Sequence, residues 1–247
     1  MKDAIQESRR IISEARERGV TLRLIGGLAF RQHCNELAFC EREYGDIDLV
    51  GLSHESSRII NTLTALGYKE NITYTLASGG NRLLFEKPDS QDHVDIFLDK
   101  LRMEHDITLR HRLDIEEFTI SVSDLLICKL IIMNLNEKDY RDIITIVKDL
   151  TLGEVDAPSV INTKYLAKIC SSRWGLYYDV IASLDKCIKF LDYYQLDEVV
   201  AREVLKRLAL IKQRIVDHPK SLRWKLRNHV GKRLQWRKIV ELEHIAR

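Results

Sequence analysis

The sequence predicts an α+β fold, in which a small mixed sheet flanked by helices is followed by an all-helical C-terminal domain. Short apolar segments beside glycine or turn residues recur through the first 150 residues, as β-strands require. Longer segments with apolar residues three or four positions apart lie between them, as amphipathic helices require. Beyond residue 150 the helical pattern predominates. We therefore expect one domain at residues 1–150 and a second, basic helical domain at residues 151–247.

The chain is predicted to begin with a helix, a strand and a second helix. Residues 3–18 place their apolar side chains on one helical side, and Gly19 ends this helix. Residues 22–25 form a brief apolar run that abuts a glycine pair, which is typical of a strand. Residues 28–37 then have the periodicity of a helix.

The middle of the first domain contains most of the predicted sheet. Residues 46–50 alternate acidic and apolar side chains, as in a strand with one solvent-exposed face and one buried face. Residues 53–66 are predicted as a helix, and the glycine-rich segment 78–81 as a hairpin turn. Three further segments have strand character: 72–77, 82–87 and 93–98.

The last elements of the first domain and the whole second domain are mainly helical. We predict a short strand at 118–122, Ser123 as the N-cap of a helix at 124–135, and a helix at 137–150. Residues 151–158 are expected to connect the domains. The helices predicted beyond this connector span 162–171, 174–194, 197–217, 221–230 and 232–246.

Composition indicates an ordinary soluble protein. Apolar residues make up 45% and charged residues 31% of the 247 residues. No apolar run approaches the ~20 residues that cross a bilayer, and the charged N-terminus does not fit a secretory signal. We expect no transmembrane segment and a cytoplasmic location. The five cysteines are scattered and odd in number, which predicts packing thiols and neither a zinc site nor a disulfide framework.

Charge is distributed unevenly between the two predicted domains. Residues 1–150 contain 20 Lys and Arg against 26 Asp and Glu, whereas residues 151–247 contain 19 against 11. The net charges of −6 and +8 sum to the formal +2 of the chain. This asymmetry indicates that the two regions have different partners.

Three carboxylates are the candidate metal ligands and catalytic groups. Asp46 and Asp48 lie two positions apart on a predicted strand, so their side chains point to the same face. Asp95 lies on another predicted strand with the same alternation. If the two strands are neighbours, all three carboxylates converge, and side-by-side carboxylates repel unless a cation lies between them. Oxygen ligands of this kind suit Mg²⁺ or Mn²⁺.

A glycine pair supplies the second candidate feature. Gly26 and Gly27 lie between a predicted strand and a predicted helix, where backbone N–H groups can approach a phosphate closely. A metal site beside a phosphate cradle fits phosphoryl or nucleotidyl transfer from a nucleoside triphosphate. Each feature alone has a simpler interpretation, the glycines as a turn and the Asp-x-Asp strand as solvated surface.

These motifs, in their order and spacing, resemble the signature of the DNA polymerase beta-like nucleotidyltransferase superfamily. The similar segments are Leu24-Ile-Gly-Gly-Leu-Ala29, Gly45-Asp-Ile-Asp-Leu49 and Val94-Asp-Ile96, and the resemblance covers roughly residues 20–150. Two later segments are similar to helices that follow the sheet in bacterial and archaeal members: Ser123-Asp-Leu-Leu-Ile-Cys-Lys129 and Lys138-Asp-Tyr-Arg-Asp142. Those members include toxins of abortive-infection and toxin–antitoxin systems and relatives of aminoglycoside-modifying enzymes.

The resemblance implies a nucleotidyltransferase-type sheet and a mechanism. Asp46 and Asp48 would hold two divalent ions on the triphosphate of an NTP. Asp95 would share one ion and help deprotonate an acceptor hydroxyl, and Gly26 and Gly27 would cradle the phosphates as pyrophosphate leaves. The acceptor could be RNA, a protein or a small molecule.

Two cations are weaker candidates for nucleotide binding. Lys129 could reach a phosphate as a point charge, or could be a lysine whose stem packs on the core. Arg82, on a predicted strand, is a comparable candidate. Asp139 and Asp142 with Arg141 are expected to form a structural ion network.

The basic C-terminal segment has several possible partners. Residues 206–247 contain 13 basic and three acidic residues, with Trp224 and Trp236 among them. Lys and Arg attract a nucleic-acid backbone and Trp can stack on a base, which indicates RNA such as tRNA. A helix whose Trp residues pack on the core, an anionic membrane surface, and a partner protein such as an antitoxin are the alternatives. The competing function is a non-catalytic nucleotide- or RNA-binding module with a degenerate fold.

Overall fold

The computed structural model describes residues 4–88 and 93–238 and has a five-stranded sheet at its centre. Its strands are β1 Leu22–Ile25, β2 Ile47–Gly51, β3 Lys69–Glu70, β4 Arg82–Glu86, β5 His93–Leu98, β6 Lys100–Arg102, β7 Asp106–Thr108, β8 Thr151–Gly153 and β9 Val160–Asn162. Its α-helices are α1 Ala4–Glu17, α2 Gly26–Gln32, α3 Ser56–Ala65, α4 Ile72–Ala77, α5 Val122–Leu130, α6 Glu137–Asp149, α7 Thr163–Ser172, α8 Trp174–Phe190, α9 Glu198–Asp217 and α10 Leu222–Val230. The predicted α+β class is therefore confirmed.

The sheet is mixed, as predicted, with the order β1-β2-β5-β4-β3. β2 and β5 are parallel neighbours, and the other pairs are antiparallel. The register of the parallel pair places Asp48 directly opposite Asp95. Strands β6 and β7 form a separate hairpin immediately after β5.

The two faces of the sheet have different surroundings because side chains alternate along each strand. One face presents fully buried apolar side chains such as Leu24, Leu49 and Ile96 to the core. Helices α1 and α3 cover this face; an added Cβ on Gly51 would lie 2.8 Å from Ile59 Cδ1 of α3. The other face carries the acidic residues and lies against α5.

The predicted strand at 72–77 is wrong, because this segment forms helix α4. The β-branched and aromatic residues of Ile-Thr-Tyr-Thr favour a strand, but the Asn71 side chain accepts a hydrogen bond from Tyr74 N at 3.0 Å and caps a helix. The turn at 78–81 consequently connects α4 to β4 and closes no hairpin. Residues 118–122 also fall short of a strand, since Thr119 makes only an isolated bridge to Leu24.

Helix α5 begins two residues earlier than predicted. Ser121, and not Ser123, is its N-cap, because the Ser121 hydroxyl accepts a hydrogen bond from Asp124 N. Ser123 Oγ instead accepts a hydrogen bond from Asn162 N at 2.7 Å. This contact joins α5 to β9, so the start of α5 is tied to the second half of the chain.

The C-terminal region is mostly but not entirely helical. Residues 151–153 and 160–162, within and just after the predicted connector, form the parallel pair β8 and β9. The predicted helices at 162–171, 197–217 and 221–230 agree with α7, α9 and α10 within a residue or two. The helix predicted at 232–246 is wrong for residues 234–238, which follow the 3-10 turn Gly231–Arg233 and are not helical; residues 239–246 lie outside the described part of the chain.

Two cysteines differ from the prediction of packing thiols. Cys34 and Cys40 form a disulfide across the loop between α2 and β2, whereas Cys128, Cys170 and Cys187 are free and buried. The six-residue separation gave no recognisable disulfide pattern in the sequence. Among the described residues, the helices are too short or too polar to cross a bilayer.

Candidate active site

The three predicted carboxylates share one face at one end of the β2–β5 pair. Asp48 and Asp95 are opposite residues of the parallel strands, and Asp46 lies just before β2 on the same side. Asp95 is buried, Asp48 is partly buried and the Asp46 side chain is 54% exposed. The alternation that predicted this convergence is therefore present in the fold.

Asp46 and Asp95 are each paired with a cation or potential cation. His93 Nε2 lies 2.8 Å from an Asp46 carboxylate oxygen. Arg82 donates from Nε to Asp95 Oδ1 at 2.6 Å and from a second nitrogen to Asp95 Oδ2, which makes a two-pronged ion pair. Within residues 4–88 and 93–238, no three His, Cys, Asp or Glu side chains are grouped so that they could hold a metal ion. The arrangement of ligands around a metal remains a prediction.

Among the described residues, no cationic side chain pairs directly with the Asp48 carboxylate. Burial, followed by the charges of Asp95 and Asp46, raises the pKa of Asp48 to about 7, and the more distant Arg82 and His93 lower it only in part. Such a carboxylate is stabilised by any added cation. The donor set is oxygen-rich and negatively charged, which fits a hard divalent ion such as Mg²⁺ or Mn²⁺.

The raised pKa of Asp48 predicts a pH-dependent stability. Because the folded-state pKa of about 7 exceeds the ordinary value of 3.8, the group favours the folded state below pH 4 and loses this contribution as the pH rises through 7. We expect the melting temperature of wild-type protein, relative to Asp48→Asn, to fall between pH 5 and pH 8 in metal-free buffer. Thermal unfolding in the presence of EDTA at several pH values measures this difference in melting temperature. Parallel plots of melting temperature against pH for the two proteins would contradict the prediction.

Gly26 is required by its contact with Asp48. Gly26 has a φ of +72°, and an added Cβ would lie 2.3 Å from Asp48 Oδ2. Gly27 has a different neighbour, because its added Cβ would lie 2.6 Å from an Arg42 guanidinium nitrogen. The pair thus lets one carboxylate and one guanidinium pack closely against the first turn of α2. A phosphate-cradling role for the same glycines stays a prediction.

A substitution at Gly26 tests this packing. We expect Gly26→Ala to destabilise the fold by about 2–3 kcal/mol, since it combines a left-handed backbone with a steric overlap on Asp48. Gly45→Ala is the matched control, because nothing lies within 4 Å of its added Cβ; its effect should stay within about 0.5 kcal/mol. Urea unfolding measures both, and equal free energies of unfolding for the two variants would contradict the account.

Lys129 belongs to a buried ion network beside the carboxylates. Its Nζ lies 2.7 Å from Asp139 and 3.0 Å from Asp142, and Asp142 also pairs with Arg42 at 2.9 Å. The structural network predicted for Asp139 and Asp142 therefore exists, but its cations are Lys129 and Arg42. Arg141 instead pairs with Glu137. Sequence reasoning missed Arg42, which lies in an irregular loop with no periodicity to identify it.

Two cavities adjoin the carboxylates. A small one of about 170 Å³ lies between the sheet and α5, and Gly26, Asp48, Phe97 and Lys129 are among its lining residues. A larger open one of about 1030 Å³ is bordered by three cations and by three carboxylates, Asp46 among them. The cations are Arg31, Arg42 and Lys138. Asp46 thus lines the larger cavity, whereas Gly26, Asp48 and Lys129 line the smaller one.

Compared with known proteins, the sequence matches no protein-family model and no curated protein.

The two tryptophans of the basic segment are half-buried and pack against other aromatic side chains. Trp236 contacts Trp174 edge-to-face, and an added Cβ on Gly175 would lie 2.6 Å from its ring. Trp224 packs edge-to-face on Tyr177. Of the predicted alternatives, packing on the core therefore accounts for both Trp residues. Part of each Trp side chain remains exposed.

The basic residues next to Trp236 are also paired within the chain. Arg237 forms a two-pronged ion pair with buried Asp179, which also accepts from His105 and Trp236. Lys238 pairs with Asp106 on β7. Residues 236–238 are therefore held against α8 and against the β6–β7 hairpin by these ion pairs and hydrogen bonds.

Proposed function

We propose that this chain is a metal-dependent nucleotidyltransferase of the DNA polymerase beta-like type, with a nucleotidyltransferase-type sheet at residues 1–150. The observation that carries the proposal is the register of β2 and β5, which places Asp48 opposite Asp95 beside Asp46. Asp48 supports it as well, because no cation among the described residues pairs with it directly, and a divalent cation would offset the burial and the carboxylate repulsion that raise its pKa.

In this proposal Asp46, Asp48 and Asp95 hold Mg²⁺ or Mn²⁺. When bound, the ion would neutralise charge on the triphosphate and on the leaving pyrophosphate. An acceptor hydroxyl oxygen would form a bond to the α-phosphorus of an NTP, the bond from that phosphorus to the bridging oxygen would break, and pyrophosphate would leave. Asp95 would accept the proton of the hydroxyl, while Gly26, Gly27, Arg82 and Lys129 position the phosphates.

The acceptor classes of the proposal are RNA, a protein side chain and a small molecule. Residues 218–238 contain eight Lys and Arg and no Asp or Glu, which keeps RNA such as tRNA and an acidic partner protein such as an antitoxin among the candidates. A cytoplasmic location is part of the proposal, although disulfides such as Cys34–Cys40 are uncommon in cytosolic proteins.

Label transfer tests the proposal. Purified protein is incubated with each α-labelled NTP and Mg²⁺ or Mn²⁺, in separate reactions with total RNA, with a small-molecule extract, and with no added acceptor. We expect label on one acceptor class, and none with an Asp46→Ala/Asp48→Ala double variant. The proposal fails if no nucleotide and no metal ion gives transfer to any acceptor.

One observation favours the alternative, a non-catalytic nucleotide- or RNA-binding module. The charge of Asp95 is already satisfied by Arg82, and that of Lys129 by Asp139 and Asp142. Thermal unfolding with Mn²⁺ plus ATP separates the two functions. A catalytic site should bind both together and gain stability, whereas a degenerate site that binds nucleotide alone gains none from Mn²⁺.

A further inference from the structure

Arg82 occupies the position next to Asp95 where a bound cation would be expected. Its guanidinium forms both prongs of the ion pair with the carboxylate, and the Asp95 side chain is only 8% exposed. The guanidinium also lies 4.4 Å from the centre of the Phe97 ring and 5.5 Å from that of Tyr74. Arg82 is thus held by one charged contact and by aromatic faces.

Arg82 and a divalent metal ion are both positively charged, so they cannot both bind the Asp95 carboxylate favourably. Two cations that share Asp95 would repel each other across a few ångströms of partly buried space. A metal ion that takes Asp95 as a ligand must therefore displace the guanidinium or bind weakly beside it. The displaced guanidinium would then need another anion.

A nucleoside triphosphate supplies that anion. Guanidinium groups bind carboxylate and phosphate oxygens with the same two-pronged geometry, so Arg82 can exchange one for the other. The Arg82 side chain is 36% exposed, which leaves it room to move without disturbing the buried side of the sheet.

We propose that Arg82 couples metal binding to nucleotide binding by releasing Asp95 only when a triphosphate is present to receive the guanidinium. This inference rests on the proposed function and assigns Arg82 as a positioning residue. In the free protein Arg82 suppresses metal binding at Asp95. With nucleotide bound it moves to the phosphates, and metal and nucleotide strengthen each other's binding by the same factor.

Titration with Mn²⁺ alone, followed by electron paramagnetic resonance, tests the coupling. We expect Arg82→Gln to bind Mn²⁺ at least about tenfold more tightly than wild-type protein, a typical size for coupling between sites. Arg82→Lys keeps the positive charge but cannot donate two parallel hydrogen bonds to a carboxylate, so its affinity for Mn²⁺ should be intermediate. Arg102→Gln is the matched control, because it removes a nearby positive charge that pairs with Asn81 and not with Asp95; its affinity should equal that of wild type.

A second titration uses a fluorescent, non-hydrolysable ATP analogue with and without Mn²⁺. For the wild-type protein, Mn²⁺ should increase the affinity for the analogue at least about tenfold. For Arg82→Gln, the increase should be much smaller. Equal Mn²⁺ affinities for wild type and Arg82→Gln would overturn the role of Arg82 and leave the proposed function standing. If neither protein binds Mn²⁺ with or without the analogue, the metal site and the proposed function fail together.

Discussion

Asp48→Asn is expected to abolish nucleotidyl transfer while leaving the protein folded and, at pH 8, more stable than wild type. Within residues 4–88 and 93–238, no cation pairs directly with this carboxylate of the predicted metal site, and asparagine keeps its size but removes its charge. Losing several kcal/mol of metal-mediated transition-state stabilisation corresponds to a rate decrease on the order of 10³-fold or more. The measurement is label transfer under single-turnover conditions, with the melting temperature taken on the same sample.

Asp99→Asn is the matched control for this prediction. Asp99 follows β5 by one residue, and its carboxylate accepts a hydrogen bond from Ser53 N at 3.1 Å, away from the other carboxylates. Its backbone φ of +64° is tolerated by asparagine. We expect transfer within about threefold of wild type, as for a change outside the transition-state contacts. Comparable activity losses in the two variants would contradict the assignment of Asp48.

Asp124→Ala is expected to give the largest loss of stability. Asp124 is fully buried and accepts hydrogen bonds from Arg112 Nε at 2.8 Å, Ser121 Oγ at 2.6 Å and Tyr165 Oη at 2.6 Å. Removing the carboxylate leaves a guanidinium and a phenol without their buried acceptor, which typically costs about 3–5 kcal/mol. Because Tyr165 lies on α7, the same change loosens the contact between α5 and the C-terminal helices. Urea unfolding measures the effect.

Asp156→Ala serves as the comparison for Asp124. Asp156 also pairs with Arg112, at 2.7 Å, but its side chain is 35% exposed, so water can replace it. We expect this variant to lose no more than about 1 kcal/mol, the range of exposed ion pairs. A loss below about 1 kcal/mol for Asp124→Ala as well would show that the buried network contributes little.

The sheet and its acidic face could be predicted because both depend on local alternation. Asp46 and Asp48 flank the apolar Ile47, and Asp95 lies between the apolar Val94 and Ile96, so strand geometry places the acidic side chains on the face opposite to the apolar ones. The boundary between α9 and α10 is likewise local, because Pro219 interrupts the helical pattern between them. These features need no knowledge of distant contacts.

The remaining errors came from contacts that periodicity does not encode. Helix α4 has a strand-like composition, and a single capping side chain, Asn71, decides its conformation. The Arg82–Asp95 pair depends on the antiparallel register of β4 and β5, and Arg42 reaches Asp142 from an irregular loop. The pairing of Cys34 with Cys40 likewise depends on how that loop folds back.

The basic C-terminal segment shows why a cluster of charged residues is a weak predictor of a binding partner. Trp236, Arg237 and Lys238 have the composition of a nucleic-acid contact, yet Asp179 and Asp106 satisfy both cations within the chain. A count of net charge could not reveal these acidic partners, because they lie more than 50 residues away in sequence. Arg223 and Lys225 of α10 are exposed and have no acidic partner in the described part of the chain, so they are the better candidates for an external contact.

A paired label experiment tests nucleotidyl transfer most directly. The same reactions are run once with NTP labelled at the α-phosphate and once with NTP labelled at the γ-phosphate, for wild type and Asp48→Asn. The account predicts that α-label appears on the acceptor, that γ-label is released only as pyrophosphate, and that both signals are lost in Asp48→Asn. Transfer of γ-label to the acceptor, or product formation that survives in Asp48→Asn, would contradict it.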